Sequence, residues 1–217
     1  LRRILNKNKM VKFSKLFAWL GLTLFTFTTI IAGYLYPDYS HISQFISESY
    51  AIDAKYGFYL RWLGFIPSGI FLSLFFFYAW KNQPKSIFSD IGMFGFIILY
   101  GLGTIICSIF YCDKGCNPEN INPSLSQIIH NITGGLFYLF LPFLYFMIFL
   151  ASKKWSINKS FSYITFLLTI LSLTLIIILF QDFKSIYKGL HQRLIEGTLL
   201  FWILYFSFNL NDNKSKK

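Results

Sequence analysis

Four short polar stretches interrupt an otherwise apolar sequence, and they hold the side chains that could do chemistry. They read YPDYSHISQFISESYA, FYCDKGCNPENINPS, SLSQIIHNITGG and KGLHQRLIEG, at residues 36–51, 110–124, 124–135 and 188–197. All three histidines of the chain lie in them. Imidazole, carboxylate and guanidinium groups at such positions could serve acid–base chemistry, metal binding or the recognition of an anion.

His130 is the main catalytic candidate because it falls about one turn inside an apolar run, where an ionisable group is costly unless it has a partner. We expect it to act as a general base or as a metal ligand, with Glu48 or Asp113 as its carboxylate partner. Together with His41 and His191 it would form a three-histidine zinc site. The sequence contains no His-x-x-x-His pair, so convergence of these histidines depends on the fold alone.

A ligand-binding role is predicted for His41, Gln44, Arg193 and Glu196. Arg193 has the planar donors that suit a phosphate or carboxylate, so it is a candidate clamp for an anionic group. The alternative is structural. Arg193 and Glu196 are three residues apart, and Gln192 and Glu196 are four apart, so these side chains could satisfy one another on one helical face.

Cys112 and Cys116 flank Asp113 and Gly115 in the second polar stretch. On the oxidising side of a membrane this spacing permits a disulfide, which would close a tight turn around Asp113. Free thiols and a two-thiol metal site are the alternatives, although zinc would need further ligands. We expect the disulfide.

The composition indicates a membrane protein. Of 217 residues, 55% are hydrophobic, 13% are charged and 27 are phenylalanine, a balance unlike that of soluble domains. Six apolar windows each approach the length of about 20 residues that a helix needs to cross a bilayer. They lie near residues 16–36, 58–80, 87–110, 126–151, 161–181 and 193–210. The predicted fold class is therefore all-α, a bundle of six transmembrane helices.

Basic residues indicate the orientation of that bundle. Most of the 20 lysines and arginines fall in the N-terminal segment, the second and fourth connections and the C-terminal tail, and the positive-inside rule places these on the cytoplasmic side. Both termini are then inside, and the four polar stretches face the outside. The net charge of +11 is explained by this bias and by attraction to anionic lipid heads, whereas no stripe or motif for nucleic-acid binding is present.

A short amphipathic helix is predicted in the first polar stretch, between helices 1 and 2. Ile42, Phe45 and Ile46 are spaced as i, i+3 and i+4, and polar residues such as Gln44 and Glu48 recur on another face. Lying in the outer interface, this helix would bury its apolar face in lipid or against the bundle and turn its polar face to water. An ordinary solvated connector is the alternative.

The chain is expected to form a single membrane domain. Residues 1–15 are predicted to be a basic cytoplasmic segment, 16–210 the six-helix domain and 211–217 a basic cytoplasmic tail. Met10 stands shortly before the first window, so the chain starts either at Leu1 or at Met10. Richness in Asn, Lys, Phe and Ile is typical of AT-rich bacterial genomes, and the expected location is the bacterial inner (cytoplasmic) membrane.

The order of the motifs resembles a known family. YPDYSHISQFISE after the first helix, YCDKGCNP after the third, HNITGG opening the fourth and GLHQRL opening the sixth are similar to the bacterial membrane family catalogued as domain of unknown function 998. The similarity covers the chain from Leu16 to Leu210. Ser49 and Tyr50 stand where Leu and Gly commonly follow the ISE motif. The resemblance implies the six-helix fold and an outer polar cluster, and no established activity.

Two classes of function fit these features. The first is a noncatalytic protein that binds a lipid or a small amphipathic ligand, with the polar groups lining a pocket. The second is a membrane-embedded hydrolase or transferase that acts on a lipid substrate, with zinc as its cofactor if the histidines converge. Membrane lipids are expected partners in both cases and nucleic acids in neither, and the sequence does not indicate a protein partner.

Overall fold

The computed structural model describes residues 2–155 and 157–210, and these contain helices and turns but no strand. The predicted tail, residues 211–217, lies outside the described residues. Six long helices make up the described part of the chain. They are α1 (Arg2–Leu35), α2 (Gly57–Asn82), α3 (Ile87–Ile109), α4 (Leu125–Ser152), α5 (Lys159–Gln181) and α6 (Lys188–Asn209).

Five of these helices, α1 to α5, are long and apolar enough to cross a membrane. The chain thus has the features of an all-helical, multi-pass membrane protein. α6 is not among the five, because Gln192, Arg193 and Glu196 in its first turns lower its mean hydropathy. α1 is continuous from Arg2, so the predicted boundary at residue 15 is not a helix end.

Consecutive helices pack against each other, and α6 also packs against α1, so the bundle closes on itself. Each short connection reverses the chain, as in up-and-down bundles. The α1–α2, α3–α4 and α5–α6 connections therefore share one end of the bundle, which we call the disulfide end because it carries Cys112 and Cys116. The other two connections and both termini share the opposite end, which we call the terminal end.

An aromatic core fills the half of the bundle nearer the terminal end. Trp202 of α6 has no exposed surface, and its ring centroid lies 4.9 Å from that of Phe96 and 5.4 Å from those of Tyr145 and Phe206. Its indole Nε1 donates to Thr165 Oγ1 at 3.0 Å. Buried aromatic rings with a satisfied polar atom supply large packing energies, so this cluster ties α3, α4 and α5 to α6.

Two helices contain π-helical segments, at Leu60–Phe65 in α2 and Phe96–Leu102 in α3. Pro67 is the second residue of the regular α-helix that resumes after the first segment, so its missing N–H falls in the turn where the hydrogen-bond pattern changes. The second segment carries Tyr100, which is 2% exposed. Such segments often occur at functional sites, because they re-aim side chains.

The first connection does not form the predicted amphipathic α-helix. Residues 41–43 form turns, and a short 3₁₀ helix spans Ile46–Tyr50. Glu48 Oε1 accepts the backbone N–H of Phe45 at 2.9 Å, which caps this helix. The expected apolar face is divided, because Ile42 is 52% exposed whereas Ile46 is 5% exposed. Tertiary contacts with α6, described below, determine this conformation instead.

Candidate functional site

A cavity of about 620 Å³ lies at the disulfide end, within the range of roughly 300–1,000 Å³ that small-molecule sites occupy. Its polar wall combines the first connection, α4 and α6, through Glu48, His130, Lys188, Gln192 and Glu196. The remaining wall is mostly apolar and includes Phe25, Phe65, Phe137, Leu179 and Phe183. The space is therefore lined by a few polar groups together with a larger apolar surface.

Two adjacent glycines of α4 keep part of this space open. Gly134 and Gly135 both line the cavity, and a Cβ added to either would meet no atom within 4 Å. Any larger residue at these positions would project into unfilled space. The cavity therefore depends on small side chains in α4.

Glu196 forms the centre of a buried hydrogen-bond network. It is 7% exposed, and its two carboxylate oxygens accept the hydroxyls of Tyr138 at 2.8 Å and Tyr100 at 3.2 Å. Gln192 Nε2 donates to the Tyr138 hydroxyl at 3.0 Å, and Gln192 Oε1 accepts the N–H of Ile46 at 2.7 Å. The network thus joins α3, α4 and α6 to the first connection.

Two ion pairs accompany this network. Lys188 Nζ lies 2.9 Å from Glu48 Oε1, and their side chains are only 15% and 7% exposed. Lys184 and Glu119, whose nearest charged atoms are 2.8 Å apart, are 68% and 58% exposed. The second pair connects the α3–α4 connection to the α5–α6 connection beside the cavity. The buried pair contributes to the wall itself, whereas the exposed pair is expected to stabilise little.

Arg193 does not serve as the predicted anion clamp, and it does not pair with Glu196. Its Nη1 donates to the backbone oxygens of His41 and Gln44, both at 2.8 Å, and its Nη2 donates to the Tyr39 hydroxyl at 2.7 Å. These acceptors belong to the first connection, and Arg193 is not part of the cavity wall. We therefore correct its role to that of a positioning residue.

The neighbours of Arg193 hold the same connection. The backbone N–H of Leu190 donates to Ile42 O at 2.9 Å. A Cβ on Gly189 would overlap the backbone of Gln44, so only glycine permits this approach. Gln44 does not face the cavity as a ligand-binding residue, because its Oε1 accepts the N–H of Ser40 at 2.8 Å. The GLHQR stretch is thus the surface on which YPDYSHISQ docks.

His130 presents one ring nitrogen that the described residues do not use. Nδ1 lies 3.0 Å from Cys107 O and 2.9 Å from Phe110 O. Carbonyl oxygens only accept, so in the neutral ring Nδ1 carries the proton and Nε2 is left as an acceptor. The residue is 8% exposed and lines the cavity. His130 can therefore accept a proton or a hydrogen bond from a bound molecule.

The three histidines do not meet as the predicted zinc site. Within residues 2–155 and 157–210, no group of three or more His, Cys, Asp and Glu side chains is arranged to hold a metal ion. His41 belongs to the first connection and lies against Tyr39 and against Gly33 of α1. Partial burial and, to a smaller extent, the charge of Arg193 lower the pKa of His41. The metal hypothesis for His41, His130 and His191 therefore does not fit this donor arrangement.

Cys112 and Cys116 form a disulfide, with their Cα atoms 4.8 Å apart. Asp113, between them, is not a partner of His130. Its Oδ2 accepts the N–H of Ser124 at 3.0 Å, and its own N–H donates to Gln127 Oε1 at 2.7 Å. Hydrogen bonding from Ser124 lowers the pKa of this exposed carboxyl. Asp113 thus fixes the connection to the start of α4.

The sequence model of one protein family matches residues 19–209, nearly the whole chain, and its description is Protein of unknown function (DUF998). The chain belongs to this family. No curated protein and no solved structure matches it. The membership agrees with the motif order, and the structure explains two of those motifs in this DUF998 protein as contact partners, the first connection and the start of α6.

Of the site residues predicted in this DUF998 protein, Glu48, His130 and Glu196 share the cavity, together with Cys116 at its rim. Sequence reasoning missed Lys188, Tyr100 and Tyr138. A signal for Lys188 was present, because residues 188, 192 and 196 are spaced by four and so share one face of α6. The two tyrosines carry no such signal, because they lie on other helices and the chain has 14 tyrosines.

Proposed function

We propose that this DUF998 protein binds a lipid or a small amphipathic ligand, without catalysis, in the cavity at the disulfide end. The observation that supports this is one cavity whose mostly apolar lining includes a few buried polar groups, Glu48, His130 and Glu196. A head group would lie beside Glu196 and His130, and a tail would lie along apolar side chains such as Leu179, Phe180 and Phe183. Mostly apolar pockets with a few placed polar groups are typical of ligand sites.

We further propose that all six helices cross a bacterial inner membrane, with both termini cytoplasmic and the disulfide end outside. α6 has 22 residues and so spans about 33 Å, against a hydrocarbon core of about 30 Å. The first connection covers the polar first turns of α6. Because of this cover, their polar side chains need not be exposed to lipid. The bias of basic residues and the oxidised cysteines both favour this orientation.

A cavity-filling variant tests the binding function. Gly135→Leu should fill the open space, and Gly197→Leu is the matched control, because Gly197 lies outside the cavity wall and also has no atom within 4 Å of an added Cβ. Both proteins are reconstituted in vesicles of phosphatidylethanolamine and phosphatidylglycerol, extracted in detergent and analysed by native mass spectrometry. We expect about one retained lipid per chain in wild type and in the control, and loss in Gly135→Leu. Equal retention in both variants would reject the cavity as the site.

The free acceptor of His130 favours one alternative, a membrane-embedded hydrolase or transferase in which Nε2 accepts the proton of the attacking hydroxyl group. Since the described residues do not form a zinc site, this alternative uses the chain's own groups. The same experiment distinguishes the two functions. If the lipid is recovered intact, the result supports binding. If wild type converts the lipid and His130→Ala does not, the result supports the enzyme.

A further inference from the structure

We propose that the ligand carries a positively charged ammonium head group, held between Glu196 and the aromatic rings of the cavity wall. This inference rests on the proposed binding function and names the chemical class of its ligand. It is argued from the charges, hydrogen bonds and rings that face the cavity.

The charge balance of the wall leaves one carboxylate without a cation. Lys188 is paired with Glu48, and Lys184 is paired with Glu119. Throughout the described ranges, Glu196 has no salt-bridge partner. Arg193 lies three residues away on α6, but its guanidinium is turned to the first connection. When ionised, Glu196 is therefore the one acidic group of the wall whose charge no described lysine or arginine balances.

The hydrogen bonds to Glu196 do not offset that charge. Tyr100 and Tyr138 are neutral donors, and each uses one lone pair of one carboxylate oxygen. A carboxylate can accept about four hydrogen bonds, so acceptor capacity remains. Burying a charge without a counter-charge is costly. A cationic ligand would supply the missing counter-charge beside the carboxylate of Glu196.

Aromatic rings on the same wall suit a cation. The ring centroids of Tyr100 and Phe137 are 4.8 Å apart, those of Tyr50 and Phe65 are 4.9 Å apart, and Phe25 lies 5.6 Å from Phe65. All five residues line the cavity. Ring faces attract ammonium groups, most strongly where water is excluded. A neutral or anionic head group would gain nothing comparable from these rings.

His130 provides a second, independent observation. It is more than nine-tenths buried, and Nε2 has no hydrogen-bond partner among residues 2–155 and 157–210. Like the carboxylate of Glu196, this nitrogen can accept a hydrogen bond from an ammonium group that carries N–H bonds. An anionic head group would instead face the lone pair of Nε2 and the carboxylate of Glu196, both of which repel it.

The test compares three amphiphiles with the same tail, dodecylammonium, dodecanol and dodecanoate, titrated by native mass spectrometry against protein in a neutral maltoside detergent. We expect wild type to bind the ammonium compound about tenfold more tightly than the alcohol, and the carboxylate most weakly. E196Q should lose the preference for ammonium and keep the affinity for dodecanol. D182N is the matched control, because Asp182 is an exposed carboxylate at the same end that does not line the cavity.

The outcomes separate the two proposals. Equal binding of the three head groups to wild type would overturn the ammonium inference and leave the amphiphile-binding function standing, and this comparison does not depend on the folding of E196Q. Binding of none of them would overturn both. Methylammonium, which has the head group and no dodecyl tail, distinguishes the source of the ligand. If it competes as well as the dodecyl compound, the ligand is a soluble ammonium compound, and if it does not, the ligand is an amine-bearing lipid.

Discussion

Around Trp202 the bundle is filled by aromatic rings, whereas about 9 Å further along α6, around Glu196, it is hollow. The three rings nearest Trp202 come from α3, α4 and α6, and together with further rings of α2 and α5 they leave it no exposed surface. The same three helices surround Glu196, but there they contribute two hydroxyls and an adjoining space of about 620 Å³. One set of helices therefore builds a dense region and an open one.

This difference assigns stability to one half of the bundle and open space to the other. Close-packed interiors gain dispersion and apolar burial, so the dense half supplies most of the stability. The hollow half gives up that gain, and its polar groups are held instead by hydrogen bonds with one another and with the first connection. The dense half fixes the helices, and the hollow half leaves open space beside its polar groups.

The largest expected loss of stability comes from removing the central ring of the dense half. Trp202→Ala should lower the free energy of unfolding by about 3–5 kcal/mol, because it leaves a large cavity among buried rings. Trp62→Ala is the control, since Trp62 is 51% exposed and should change it little. Thermal unfolding in detergent, followed by circular dichroism, measures both. Equal losses in the two variants would show that the rings around Trp202 do not form the stabilising core.

A smaller loss of unfolding free energy is expected at Gly189, where α6 closely approaches the backbone of the first connection. Gly189→Ala should cost about 1–3 kcal/mol, because the new Cβ would overlap the backbone of Gln44 and displace the first connection. Gly197→Ala, in the same helix with open space around it, should be neutral or slightly stabilising. Protease cleavage within residues 36–51 reports the displacement directly. An unchanged cleavage rate in Gly189→Ala would contradict the docking role of the GLHQR stretch.

The smallest effect is a pH dependence confined to the first connection. Folding lowers the pKa of His41 below its ordinary value of 6.5, through partial burial and then Arg193, so the folded state favours the neutral ring. The stability that depends on it is full above pH 6.5 and falls as the pH drops from 6.5 towards the folded pKa. The unfolding temperature of wild type should therefore decline slightly more between pH 7 and pH 5 than that of His41→Gln. Identical profiles would show that His41 is not held neutral.

The helical class and the family were predictable because they depend on composition and on motif order. Apolar windows such as 126–151 and 161–181 coincide closely with α4 and α5, since a run of apolar residues is a local property of the sequence. Cys112 and Cys116 also lie close enough in the chain for their pairing to be a local event. Only the last window fell short of a clear membrane span, because its first turns are polar.

The roles of single residues were predictable only where their partners were near in sequence. Arg193 looked free to bind an anion, yet its acceptors lie 149 and 152 residues away, at Gln44 and His41. For Glu196 a ligand-binding role and pairing within α6 were both open from the sequence, but its partners are 58 and 96 residues away, at Tyr138 and Tyr100. Such contacts depend on how helices pack, and neither residue type nor spacing encodes that packing.

The π-helical segment Phe96–Leu102 has a consequence for the phase of α3. Each π turn accommodates one residue more than an α turn, so the helix beyond it is rotated by about 100° relative to an uninterrupted α-helix. Phe96 enters the segment facing Trp202, and Tyr100, within it, faces Glu196. The residues after Leu102, such as Thr104 and Cys107 of the cavity lining, therefore have a different angular register from those before Phe96. The extra residue thus decides which side chains of the last turns of α3 face the cavity.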